Sequence, residues 1–422
     1  MEKAYSKGID LTIEELGFDI EKLAGNHLDF LACEGARVIL SVALNEEVTR
    51  FLGRSRYERN PDAPKGHRNG SRRRTYYCGS GEVAVDVPRV RDTDKPFQSR
   101  IISRWQKVSN KILRIVPQLY LEGLSTRDFR RALAPLFGGK SLSRSSVSRI
   151  NVELKEQFAA WRKRDLSGED VIYLFLDGVY MGVYKGRREK EAILVAHGIR
   201  RDGKRVLLSV MLGGKESSDS WKSLIHDLID RGLKMPQLVI SDGNKGLIRA
   251  VKDIWPSAAR QRCTKHRTAN VLARVPKKRQ EEVKKGLHRI FYANSEQEAV
   301  EAARLFSERY RDEFSEACKI LGTDLEDCLT YFRFPPRHWK RIRTSNVIER
   351  AFREVRRRTN VVGRFPTPMS ALVVVWGVIE EDRIKWRGLH MDDKHQRMIE
   401  AAVIELKNKP IEVTGFEWLE AA

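Results

Sequence analysis

Val171-Ile172-Tyr173-Leu174-Phe175-Leu176-Asp177 is an apolar run closed by a carboxylate, and it reads as a buried β-strand. Downstream, EAILVAHGIR (191–200) and RVLLSVMLGG (205–214) flank Arg201-Asp202-Gly203-Lys204, where the Asp-Gly pair marks a hairpin turn. SSDSWKSLIHDLIDRG (217–232) has the spacing of an amphipathic helix behind a serine cap. QLVISD (237–242) is a second short apolar strand ending in aspartate, and NKGLIRAVKDIWP (244–256) a helix. ARQRC (259–263) and TKHRTANVLARV (264–275) repeat the strand–helix pattern. Three antiparallel strands followed by helix, strand, helix and strand is the order of an α/β ribonuclease-H-like core on a mixed five-stranded sheet.

That core is expected over 166–275 and again from 341. Between them KKRQEEVKKGLHRIFY (277–292), SEQEAVEAARLFSERYRDEFSEACKIL (295–321) and DLEDCLTYFRF (324–334) read as an all-helical insertion spanning 276–340. The chain then continues with a basic helix, ERAFREVRRRTNVVGRF (349–365), and an apolar one, MSALVVVWGVIEEDRIKW (369–386).

The 422 residues carry 79 Lys plus Arg against 57 Asp plus Glu, a formal charge of +22. An excess of this size favours a polyanionic partner, nucleic acid first. The start of the chain has no apolar leader, and no window approaches eighteen uninterrupted apolar residues. A cytoplasmic protein without a membrane partner is the expectation. Five scattered cysteines without paired spacing agree with a reducing compartment.

The amino-terminal part reads as mostly helical DNA-binding domains. Residues 1–60 form a helical, dimerisation-type region. Residues 61–108 are a basic loop-and-strand region, beginning within RSRYERNPDAPKGHRNGSRRRTYYCGSG (54–81) and continuing into the alternating strand EVAVDVPRVRD (82–92). Arg56, Arg59, Arg68, Arg72, Arg73 and Arg74, interleaved with Tyr57, Tyr76 and Tyr77, are candidate phosphate and base contacts. Over 109–165, GLSTRDFRRALAPLFG (123–138) and SRSSVSRINVELKEQFAAW (143–161) suggest a helix-turn-helix. Its second helix would present Ser145, Ser146, Ser148 and Arg149 to the major groove, with an ordinary helical hairpin as the rival reading.

Asp177 and Asp242 each close a strand with a turn-prone glycine next, Gly178 and Gly243. Two carboxylates on neighbouring strands repel unless a proton or a cation intervenes. Oxygen-only ligands favour Mg²⁺ or Mn²⁺, and a pair of such ions supports in-line phosphoryl transfer. Glu349, in a helix dense with arginine, is the third candidate ligand. Arg350, Arg353 and Arg357, with Arg356 and Arg358, would line a DNA groove there, and Lys245 opens the helix beyond Asp242. Asp202 and Asp219 are decoys, one in a hairpin turn and one in a first helical turn. Cys263 and His266 form a C-x2-H pair lacking two further zinc ligands at matching spacing, so a structural role near the site is preferred.

LFLDGVY (174–180), VISDGNKGL (239–247), CTKHRTANVL (263–272) and RTSNVIERAFREVRRRTNVVGRFP (343–366), taken in order, resemble the mutator-type transposases of bacterial insertion sequences. RYERNPDAPKGHRNGSRRRT and QLYLEGLSTRDFRRALAPLFGGKSLSRSSVSRI resemble that family's amino-terminal blocks. The resemblance implies an Asp-Asp-Glu triad of Asp177, Asp242 and Glu349, catalytic and holding two Mg²⁺ (or Mn²⁺) ions. It further implies cleavage by water and strand transfer by the freed 3′-hydroxyl. The implied partners are double-stranded DNA, as terminal inverted repeats and target, and a second copy of the chain. A regulator that only binds DNA and a nuclease that cuts without joining are the competing classes. If the second helix reads bases, Ser145→Ala with Arg149→Ala lowers affinity for the end sequence more than for random duplex in competition binding; equal losses reduce it to a backbone contact.

Overall fold

The computed structural model describes residues 27–78, 81–102, 144–184, 188–214, 216–360, 367–384 and 388–417, with Ser109, Leu119 and Phe365. The chain divides into two compact units, Met1–Val152 and Glu153–Ala422.

In the first unit, helix α1 (His27–Leu52) packs on a hairpin of β1 (His67–Cys78) and β2 (Gly81–Arg91). Leu44 of α1 meets Tyr76, Val83 and Val85 of the hairpin, with Ile102, in one apolar cluster. The arginine- and glycine-rich composition over 54–81 suggested loop with short extended pieces, and the structure makes 67–78 of it one strand. Thr75, Tyr76 and Tyr77 suit a pleated surface, and the alternating β2 supplies the pairing partner. The ladder slips between Arg68 and Ser71, where Gly70 takes a φ of +65°. DLTIEEL and the first helix of the expected helix-turn-helix lie outside the described residues. So do the side chains of Ser145, Ser146, Ser148 and Arg149, although their backbone is helical within α2 (Arg144–Arg162).

The second unit is built on β3 (Val171–Tyr184), β4 (Arg188–Arg200), β5 (Arg205–Gly214), β6 (Leu238–Ser241) and β7 (Ala259–Arg262). They form the expected mixed five-stranded sheet, in the order β5-β4-β3-β6-β7. β3 runs antiparallel to β4 and β4 to β5, whereas β3, β6 and β7 are mutually parallel. The chain therefore leaves β3, β5, β6 and β7 in the same direction, and the loops after β5, β6 and β7 open at one end of the sheet. Helices α3 (Ser218–Asp230) and α4 (Lys245–Ile254) cover one face, where Trp221, Leu224, Leu228, Leu247 and Val251 bury against Leu174, Leu176, Leu194 and Leu208. Ser217 caps α3 by accepting from the Ser220 amide, as its sequence suggests.

After β7 come α5 (Thr264–Leu272), α6 (Gln280–Phe291), α7 (Glu296–Tyr310), α8 (Ser315–Gly322), α9 (Leu325–Leu329) and α10 (Pro336–Ile342). Every described element between β7 and α11 (Asn346–Thr359) is helical. Helices α12 (Pro368–Ile384) and α13 (Asp393–Asn408) close the chain, α12 packing along β3 and β5. No described helix is long and apolar enough to cross a membrane.

The β4–β5 turn docks on the carboxyl-terminal segment. Gly203, at φ +77°, accepts from the Leu389 amide at 2.8 Å. A Cβ there would lie 1.8 Å from the Leu389 carbonyl oxygen. Gly203→Ala is expected to lower unfolding stability by more than about 1 kcal/mol, from a disfavoured backbone plus a backbone clash, measured by urea titration.

Candidate active site

Three carboxylates, Asp177, Asp242 and Glu349, converge at the end of the sheet where β6 and β7 stop. Asp177 follows Leu176, which is in register with Ser241, the last residue of β6; Asp242 is next after it. The parallel register thus sets the two aspartates side by side. Asp177 is not at a strand end, as its glycine neighbour suggested. β3 runs on to Tyr184, paired with β4, and only its pairing with β6 ends there. Gly178 is extended strand, while Gly243 does turn, at φ +90°.

Asp177 is 8% exposed and accepts the Gly178 amide at 2.8 Å. Burial, then the charge of Asp242, pushes its pKa up to about 7, and Glu349 adds to the same shift. Asp242 accepts the Asn244 amide at 3.0 Å, closing a turn. The side-chain oxygen of Asn244 then caps α4, accepting from Gly246 and Leu247.

Glu349 comes from the first turn of α11, whose buried face is Val347, Ile348, Ala351, Phe352, Val355 and Arg358. Its carboxylate is held by a small cluster. Lys265 donates to Oε2, Ser345 Oγ donates to Oε1 at 3.0 Å, and His266 Nε2 lies 3.7 Å away. Burial pushes Glu349 up, but the Lys265 hydrogen bond and the His266 charge outweigh it and hold the pKa below its ordinary value. Ser345, wholly buried, also reaches Cys263 Sγ from its amide at 3.3 Å and its hydroxyl at 3.4 Å. A hydrogen bond to Cys263 lifts His266 to about 9, so its imidazole is charged at neutral pH.

Carboxylate oxygens of Asp177, Asp242 and Glu349, half-buried or deeper and mutually repelling, are a donor set that suits a hard divalent cation. Cys263, His266 and Glu349, unlike the three carboxylates, offer one atom each within 4.8 Å of one another. In that second set the sulfur already accepts from Ser345, and Lys265 and Ser345 occupy the carboxylate.

Arg350, Arg353 and Arg357 lie exposed on α11, with Arg357 also paired to Glu354. Arg358, expected on that basic face, is buried because it falls on the apolar stripe of the helix. Lys245 is exposed at the start of α4. In the amino-terminal unit Arg56, Arg59, Arg72 and Arg73 are exposed and Arg74 is partly so. Arg68 is turned inward, donating to Thr49 at 2.7 Å. Asp202 pairs with Arg200 and Asp219 sits in the first turn of α3. Sequence reasoning missed Lys265, Ser345, Asn244 and Glu216. The signals were adjacency to His266, to Glu349's helix and to Asp242, and, for Glu216, a place just before a serine-capped helix.

Residues 19–388 match the family described as Transposase, Mutator family. The chain belongs to that family. It is 32% identical to a transposase for insertion sequence element ISRM5 of Rhizobium meliloti, over 86% of this chain and 92% of the relative. It is 34% identical to the transposase of IS6120 from Mycolicibacterium smegmatis, over 65% and 85% of the two chains. For the transposase of IS256 in transposon Tn4001 from Staphylococcus aureus the identity is 30%, over 82% and 89%. Among solved structures, the Drosophila P element transposase strand transfer complex covers 74% of this family member and 90% of its own chain. At 10% identity and a TM-score of 0.29 it bears on neither fold nor function.

A folded-state pKa near 7 for Asp177, above the ordinary carboxylate value, means the native chain holds that proton more tightly than the unfolded chain. The resulting stability is full below about pH 4 and is lost as pH rises through 7. In chelator-treated protein, stability measured by urea unfolding is expected to fall from about pH 5 to 8, and Asp177→Asn to flatten that fall.

Proposed function

We propose that this chain is a DNA transposase that binds the terminal inverted repeats of its own insertion sequence and cuts and joins DNA at Asp177, Asp242 and Glu349. The observation that carries the reading is the clustering of the three carboxylates, drawn from two parallel strands and a distant helix. The strand order, with helices from α5 to α10 between β7 and α11, supports a ribonuclease-H-like core interrupted by a helical insertion. The relatives' names as insertion-sequence transposases support the reaction class.

Asp177 and Asp242 would hold two Mg²⁺ or Mn²⁺ ions from the sheet side and Glu349 from the helix side. Bound divalent ions supply charge neutralisation at the scissile phosphate and lower the pKa of the attacking hydroxyl group. Glu349 is paired with Lys265 in this structure; with a cation held by Glu349 instead, Lys265 would be available to a DNA phosphate. Cys263, His266 and Ser345 keep the Glu349 rotamer aimed at the aspartates. The exposed arginines of α11 and Lys245 bind backbone phosphates, as do Arg56, Arg59, Arg72, Arg73 and Arg74, with Ser145, Ser146, Ser148 and Arg149 reading bases. A homodimer brings the two ends together.

In a strand-transfer assay on a labelled inverted repeat with Mg²⁺, Asp177→Asn, Asp242→Asn and Glu349→Gln are each expected to lose cleavage by at least about 10³-fold. DNA affinity should survive, with a steep salt dependence. A variant that still joins DNA normally removes its residue from the site. Cleavage without joined product from the unaltered chain supports a nuclease.

A further inference from the structure

Gly178 does not turn, so its missing side chain has another reason. A Cβ on Gly178 would lie 2.5 Å from Oε1 of Glu216 and 3.0 Å from its Cδ. The Glu216 carboxylate therefore occupies the space directly over the residue that follows Asp177. Its other oxygen, Oε2, accepts from Asn244 Nδ2 at 3.1 Å. The Asn244 amide orientation is set independently, because its oxygen caps α4 by accepting from Gly246 at 2.9 Å and Leu247 at 3.2 Å. Asn244 also donates its backbone N–H to Asp242. One carboxylate thus bridges from the backbone beside Asp177 to the loop that carries Asp242.

Topology explains how it arrives there. β5 leaves the sheet in the same direction as β3, β6 and β7, and Glu216 stands in the short link between β5 and the Ser217 cap of α3. Among the described residues the one side chain bonded to it is the neutral amide of Asn244. Asp242 repels it, and half-burial adds to the cost of its charge. A charged carboxylate placed this way is unfavourable unless a proton or a cation relieves it.

We propose that Glu216 is a fourth carboxylate of the metal site, a ligand to the cation held by Asp242, with Asn244 fixing its orientation and Gly178 making room for it. This inference rests on the metal reading of Asp177, Asp242 and Glu349. Glu216 shares the cation's charge with Asp242 and ties the β5–α3 link to the site. Gly178 is glycine because a methyl group there would displace a ligand.

Titration of Mn²⁺ alone into the full chain, followed by calorimetry, tests it with no DNA and no activity readout. Glu216→Gln keeps an oxygen that accepts from Asn244 and removes the charge, so a mere strut would leave Mn²⁺ binding unchanged. The expected result is at least about a tenfold loss of Mn²⁺ affinity. The metal-free variant should melt no lower than the unaltered chain, because a repulsion has been removed. Gly178→Ala, which pushes the Glu216 carboxylate aside, should show a loss in the same direction. If Asp242→Asn loses Mn²⁺ binding while Glu216→Gln retains all of it, Glu216 is a strut and the triad stands without it. If the unaltered chain fails to bind Mn²⁺, or Asp242→Asn binds as it does, the metal reading itself falls and Glu216 falls with it.

Discussion

Like charges gathered at one end of a sheet are the constraint around which the second unit of this protein is arranged. Parallel pairing of β3 with β6 sets Leu176 opposite Ser241, so that Asp177 and Asp242 emerge as neighbours. Neither strand offers a compensating base. Burial first, and that crowding second, push the Asp177 pKa up to about 7. A proton relieves it at low pH, and on the proposed reading divalent cations relieve it during the reaction. Such a site is costly in isolation, and the fully buried apolar sheet beneath it, with Trp221, Leu224 and Leu247 locked against β3 and β4, holds the carboxylates in place.

Glu349 is restrained differently. It sits on a helix, where rotation of one side chain could carry its carboxylate away from the sheet. Ser345, four residues earlier and fully buried, donates to it and at the same time touches Cys263. Lys265 and His266 add two positive groups from the first turn of α5. A salt bridge from Lys265 keeps this half-buried carboxylate paired. Cys263 and His266 both stand beside Glu349, Cys263 against the same Ser345 that donates to it.

The element types of the second unit were legible because its segments are periodic and punctuated by Ser217 and the Asp202-Gly203 turn. Two things were not. The strand over 67–78 was hidden because arginine-rich composition resembles a loop, and only the pairing with β2 makes it extended. The continuation of β3 past Asp177 was hidden because Gly178 looks like a turn signal. What decides its conformation is the long antiparallel ladder with β4, and Glu216 lies where a side chain would have pointed.

Asp177, Asp242 and Glu349 could be nominated from sequence because two apolar runs each close in aspartate and a basic helix carrying glutamate follows them in the expected element order. Composition set the charge, and periodicity set the sheet's membership and the helical block from α5 to α10. Which groups meet was a tertiary matter. Strand order and direction bring the loop after β5 to the same end as those after β6 and β7, placing Glu216 and Asn244 in the cluster with no spacing rule to announce them. Arg358 turned inward and Arg350 outward on one basic helix for the same reason: burial follows the face a helix presents to its neighbours, and charge density along the sequence does not record that face.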